Sequence, residues 1–157
     1  MKAAFADSAT QCLEVDHKHL DATLLESEQA AHGGSFAEAR KRFDAFASGL
    51  VRHIDAEEDT LFPELEELEP GARGPTSVMR AEHEELRALL AHIAADLAAA
   101  TPGWQASVHR LKETLLTHNT KEERMLYPMA DAAARSAGRG AALAQRLRSA
   151  LSHPGDQ

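Results

Sequence analysis

The chain has a single cysteine, Cys12, in 157 residues. That excludes an intrachain disulfide and any metal site built on thiolates, and Cys12 reads as a small buried residue of the first helix. Aromatic residues are scarce, with one Trp, one Tyr and five Phe. Ala, Leu, Glu and Arg dominate instead, a composition that favours helices over sheet. Basic residues are outnumbered, 17 against 25 acids, and the net charge of −8 argues against nucleic acid or an anionic membrane surface as a partner. No segment is apolar for long enough to span a bilayer. The first residues, Met1 to Asp7, lack the apolar run of a secretory signal. A cytoplasmic chain is expected, folded as one domain over residues 1–157 with its own core.

What the chain does have, it has twice. His53-Ile-Asp-Ala-Glu57-Glu58-Asp-Thr-Leu61-Phe62-Pro63 returns 65 residues later as His118-Asn-Thr-Lys-Glu122-Glu123-Arg-Met-Leu126-Tyr127-Pro128. The shared pattern is H-x-x-x-E-E-x-x-L-aromatic-P. Upstream of each copy stands an acid followed by His, Asp16-His17 and Glu82-His83, related by nearly the same shift of 66 residues. An internal repeat of this kind dictates a two-fold architecture before any single residue is interpreted.

The stops along the chain divide it into four long helices. The first runs from about Ser8 or Ala9 to Ala31, with Ser8 and Gln11 as a capping box and Gly33-Gly34 as the stop. The second opens at Ser35, with Glu38 completing another capping box, and is expected to end near Leu61 before Pro63. An acidic, turn-rich stretch through Gly71 and Gly74 reads as a solvated loop. The third begins near Pro75 or Thr76 and reaches about Ala100; Thr101-Pro102-Gly103 breaks it, and the fourth covers Trp104 to about Leu126, before Pro128. Short connections between long helices imply antiparallel neighbours, hence an all-α, up-down-up-down four-helix bundle over about 9–128. The tail, 129–157, carries Leu143, Leu147 and Leu151 at helical spacing, a short fifth helix packed outside the bundle or in a contact between two copies.

Helical spacing sorts the nine histidines at about 100° per residue. His17 shares a stripe with Leu13, Leu20 and Leu24; His53 with Phe46, Leu50 and Leu61; His83 with Met79, Leu86 and Leu90; His118 with Leu111, Leu115, Met125 and Leu126. Glu57 and Glu122 stand one turn beyond His53 and His118 on the same stripes. These six residues therefore face inward. His92 and His109 lie about half a turn from His83 and His118 and point outward, and His19 points away from His17. Glu58 and Glu123 lie about 100° off the stripe and read as rim acids. Four histidines and two carboxylates inside one bundle would be costly polar groups without a metal, and together they make a two-metal site. Imidazole with carboxylate suits Fe, Mn or Zn rather than the all-oxygen preference of Ca or Mg.

The repeated H-x-x-x-E-E-x-x-L-[FY]-P, each copy preceded by an acid-His pair in a leucine stripe, resembles the hemerythrin-like, or HHE cation-binding, family in its bacterial single-domain form. The likeness covers roughly residues 10–130. It implies a four-helix bundle holding two iron ions with an oxo or hydroxo bridge, ahead of Mn or Zn, with His17, His53, Glu57, His83, His118 and Glu122 as metal ligands. The chain departs from the oxygen carriers of that family, which have H-x-x-x-H on the third helix; here Arg87 stands four residues after His83. The resemblance thus implies an open position on each metal and a small diatomic ligand (O2 or NO) or peroxide as partner, in oxidative or nitrosative stress or in iron handling. Arg87 and Tyr127 are candidates for the surroundings of the metals. The competing expectations are a non-redox Zn or Mn module or an iron donor; a ferritin-like bundle is disfavoured because no inward Glu-x-x-His pair is present. The chain is expected to act as a monomer or homodimer.

Overall fold

The computed structural model describes residues 8–152; His153 and the first seven residues lie outside them. Among the described residues there are helices and no strands: α1 (Ala9–His32), α2 (Phe36–Ala56), α3 (Phe62–Leu68), α4 (Arg73–Ala99), α5 (Trp104–Lys121), α6 (Tyr127–Ser136) and α7 (Gly140–Leu151). The Ser8 side chain accepts from the Gln11 N–H at 3.1 Å, as the capping box requires. Ser35 makes no such cap, and the Glu38 side chain, instead of reaching back to it, accepts from Arg42 one turn on, at 2.9 Å. Gly34 leaves α1 with φ +86°, where an L side chain would be strained.

The two prolines do not end their helices. Between α2 and α3, residues Glu57–Leu61 form a π-turn, and between α5 and α6, Glu122–Leu126 form another. In each, the N–H of the aromatic residue reaches back five residues, Phe62 to the Glu57 carbonyl and Tyr127 to the Glu122 carbonyl. Proline cannot donate to the fourth carbonyl before it and its ring crowds that carbonyl. The wider π-turn sets Pro63 and Pro128 in the first turn of a fresh α-helix, where no donor is needed. The extra residue also shifts the helical register of its own turn. Met125, expected inward, is 51% exposed, while Leu126 is buried.

The acidic run 64–69, expected as a solvated loop, is therefore helical as far as Leu68, and the second-half helix continues to Ser136 rather than stopping at Leu126. Asp131 of α6 accepts from the Ala9 and Thr10 backbone N–H groups, at 2.8 and 3.1 Å, and so caps the start of α1. Helix α7 packs on α1 and α2, burying Leu143, Ala144 and Leu147, with Leu151 only partly covered.

The apolar core is in two blocks. One gathers Leu13, Leu61, Phe62, Leu65, Met79, Leu126 and Tyr127 with the inner faces of α6 and α7. The other holds Leu20, Leu24, Phe43, Phe46, Leu50, Ile54, Leu86, Ile93 and Leu111. Gly49 lets α1 and α2 approach closely, since a Cβ there would meet Leu20 Cδ2 at 2.8 Å. The six expected ligands fall between the two blocks.

Candidate metal centre

His17 on α1, His53 on α2, His83 on α4 and His118 on α5 are all buried, as are Glu57 and Glu122 in the π-turns. The fold brings all six together. Ligand atoms of Glu57, His83, His118 and Glu122 lie within 4.8 Å of one another, and so do those of His17, His53 and Glu122. His83 Nε2 is 3.2 Å from Glu57 Oε1, and His118 Nε2 is 3.2 Å from Glu122 Oε1. On the other side His53 Nε2 is 3.7 Å from Glu57 Oε1, and His17 Nε2 is 3.5 Å from Glu122 Oε1. Both carboxylates thus reach towards both pairs of imidazoles. His92 and His109 are 65% and 73% exposed, and His19 is exposed too. His32 is exposed at the end of α1, against Trp104.

Four acids that the spacing assigned to no site hold the outer nitrogens. His53 Nδ1 donates to Asp16 at 2.8 Å, His83 Nδ1 to Glu58 at 2.8 Å, His118 Nδ1 to Glu82 at 2.8 Å, and His17 Nδ1 to Glu123 at 2.9 Å. A carboxylate only accepts, so each Nδ1 carries the proton and each Nε2 turns to the centre. Glu58 and Glu123 are partly exposed, as rim acids should be, yet each fastens a histidine on another helix. The doubled Glu of each repeat and the acid before each lone His were the available signals.

Tyr127 is at the centre rather than merely packed. Its hydroxyl donates to Glu57 Oε2 at 2.6 Å, lies 3.0 Å from Glu122 Oε1, and is 3.2 and 3.3 Å from Nε2 of His17 and His53. Its counterpart Phe62 has no hydroxyl and stacks on His83, ring centroids 5.8 Å apart. Arg87 does not point into the site. Its guanidinium grips Glu58 at 3.1 Å together with Asp55 and Glu84, so it reaches His83 only through Glu58. A groove of about 700 Å³ between α1 and α5, lined by Asp21, Leu24, Lys112 and Leu116 among others, reaches His17 and Glu123.

The centre is short of positive charge. Burial by itself would lower the histidines, but the carboxylates outweigh it: Glu122 and Glu123 push His17 up to about 9, and Glu122, Glu57 and Glu58 push His83 up to about 10. His118 is raised by Glu122 against the same burial. Burial, then the charge of Glu122, raises Glu57; Glu122, despite its burial, is held well below the usual carboxylate range by the Glu57, His118, His17 and His83 groups around it. Burial beside both acids keeps the Tyr127 proton in place well above its ordinary range.

Protons do not complete the site. Glu57 Oε1, Glu122 Oε2 and His83 Nε2 are buried without a hydrogen-bond partner among the described residues. His83 gives its Nδ1 proton to Glu58, and its Nε2 faces Glu57 Oε1 at 3.2 Å and Glu122 Oε2 at 3.9 Å without an aligned hydrogen bond to either. Buried polar atoms left this way cost about 1–3 kcal/mol each, and a cation between them removes the cost. Imidazole nitrogens and carboxylate oxygens in this number are a fitting donor set for two transition-metal ions.

The model of one family, described as hemerythrin HHE cation binding domain, matches residues 8–130. No curated protein and no solved structure matches the chain.

Proposed function

Because the chain belongs to the hemerythrin HHE cation-binding family, we propose that it is a di-iron protein that binds O2, NO or peroxide. Its long helices α1, α2, α4 and α5 run up-down-up-down around the site. In this reading His17 and His53 would hold one ion and His83 and His118 the other, with Glu57 and Glu122 as the carboxylate ligands. Iron stands ahead of manganese or zinc. The observation that carries the reading is the set of buried, mutually facing polar atoms without a hydrogen-bond partner: Glu57 Oε1, Glu122 Oε2 and His83 Nε2.

Bound iron supplies open coordination positions and electrons for a small diatomic molecule or peroxide. The chain's own residues do the rest. The apolar blocks on either side exclude water from the layer between them. Asp16, Glu58, Glu82 and Glu123 aim the imidazoles. Tyr127 keeps a proton on its oxygen 2.6 Å from Glu57, inside the ring of six ligand residues. The α1–α5 groove offers such a ligand a path to the His17 side. Arg87 occupies the position at which a fifth histidine would fill one open place, and it is turned towards Glu58 instead.

Metal content together with the visible spectrum, for protein purified in air and without it, tests this. Two irons per chain and an absorption spectrum that changes on exposure to air or NO are expected. One metal per chain or none would overturn the two-metal reading, and two colourless zinc ions would leave the ligands standing but remove the redox function.

A further inference from the structure

The four outer acids form a closed ring. Asp16 of α1 holds a histidine of α2, Glu58 after α2 holds one of α4, Glu82 of α4 holds one of α5, and Glu123 after α5 holds one of α1. Each helix thereby positions its neighbour's histidine, and no acid serves its own helix. The ring is even in geometry and uneven in charge. Glu58 is paired with Arg87 and Glu82 with Lys121. Neither Asp16 nor Glu123 has a Lys or Arg at ion-pair distance among the described residues; their partners are His53 and His17. Asp21, one turn beyond His17, adds a further acid on that side, and Lys18 and Lys112 line the groove there as well, Lys112 paired with Glu28 at 3.2 Å.

We propose that Asp16, Glu58, Glu82 and Glu123 are positioning residues for the metals, and that their unequal pairing makes the two metal positions unequal. The position between His17 and His53 lies against two acids with no Lys or Arg partner among the described residues, so it fills first and binds more tightly. The position between His83 and His118 has its acids offset by Arg87 and Lys121 and fills second. This inference rests on the two-metal reading.

The test is titration of the full-length, chelator-stripped protein with Co(II), monitored by visible absorbance and calorimetry. The wild type should bind two ions in resolved steps. Removing a group that orients a ligand costs about 10–100-fold in metal affinity. Asp16→Asn and Glu123→Gln should show that loss in the first step, Glu58→Gln and Glu82→Gln in the second, each with the helical circular dichroism of the wild type. Arg87→Met keeps every ligand and every acid, and should strengthen the second step and narrow the gap; a gain in affinity cannot come from misfolding. Equal losses in both steps from all four acid variants, or a second step unchanged or weakened in Arg87→Met, would overturn the inference. Two ions bound with one affinity by the wild type would overturn it and leave the two-metal reading intact. One ion or none would overturn that reading itself.

Discussion

Replacing Tyr127 with Phe removes one oxygen from the middle of the site and leaves the ring in place. The shape is compatible, since Phe62 already fills the matching position in the first repeat without a hydroxyl. In the metal-free chain the lost group is the donor to Glu57 at 2.6 Å, fully buried, with Glu122 at 3.0 Å. A hydrogen bond to a charged group contributes about 1.5–3 kcal/mol. In a chain of this size each kcal/mol shifts the melting temperature by about 2–4 °C, so the metal-free variant should melt roughly 3–12 °C lower. With metal bound, the same carboxylate oxygens have cations to satisfy them, and the drop should shrink to below about 4 °C, or under 1 kcal/mol. Thermal melts by far-ultraviolet circular dichroism, run on both proteins with and without Co(II), measure all four values. An unchanged melt for metal-free Tyr127→Phe, or a larger drop with metal than without it, would refute the assignment of this hydroxyl as a partner for unmet carboxylates.

Three further outcomes are expected. His53→Ala and His118→Ala should lose bound metal, whereas His92→Ala and His109→Ala, at exposed positions, should retain the wild-type content by elemental analysis; equal loss in both groups would mean the wrong histidines face inward. Metal-free protein should become less stable to urea as the pH rises: the raised His17 and His83 contribute fully below their unfolded value of 6.5 and lose that contribution as the pH passes about 9 to 10. Metal-loaded protein should show no such fall over that window, and a metal-free chain equally stable at pH 7 and 10 would contradict the charge balance described. Ala100 closes α4 with φ +52°, so Ala100→Gly should stabilise the chain by about 1 kcal/mol in a denaturant melt, and a loss would show that the left-handed turn is wrong.

The helices and the six inward residues are legible from spacing because they depend on one local rule, the helical period, applied to a repeated motif. Gly34 and Ser8 likewise act through their own backbone. Spacing misleads where two segments interact or where the period itself changes. Pro63 and Pro128 look like stops because proline cannot continue an α-helix, but a π-turn five residues long lets the chain pass, and no propensity scale announces it. That same added residue turns Met125 outward. Glu58 and Glu123 are off the ligand stripe of their own helices, and only the packing of α4 and α1 against them reveals what they hold. Arg87 lies on the helix and turn that spacing indicates, but its direction is decided by three acids, two of them on the neighbouring segment.

The division of the apolar interior into two blocks makes this chain resemble two small proteins sharing four helices. Each block buries its own side chains, and the layer at their junction is made of acids and histidines, three of whose buried polar atoms have no hydrogen-bond partner until a cation lies among them. Cooperativity is therefore conditional. With metal, opening one block disturbs ligands contributed by all four long helices and draws the other with it. Without metal, the block closed by α6, α7 and the Asp131 cap can persist while the block beyond His17 and His53 opens on its own. Amide exchange would then separate the molecule into a slow end and a fast end, with metal turning two unfolding units into one.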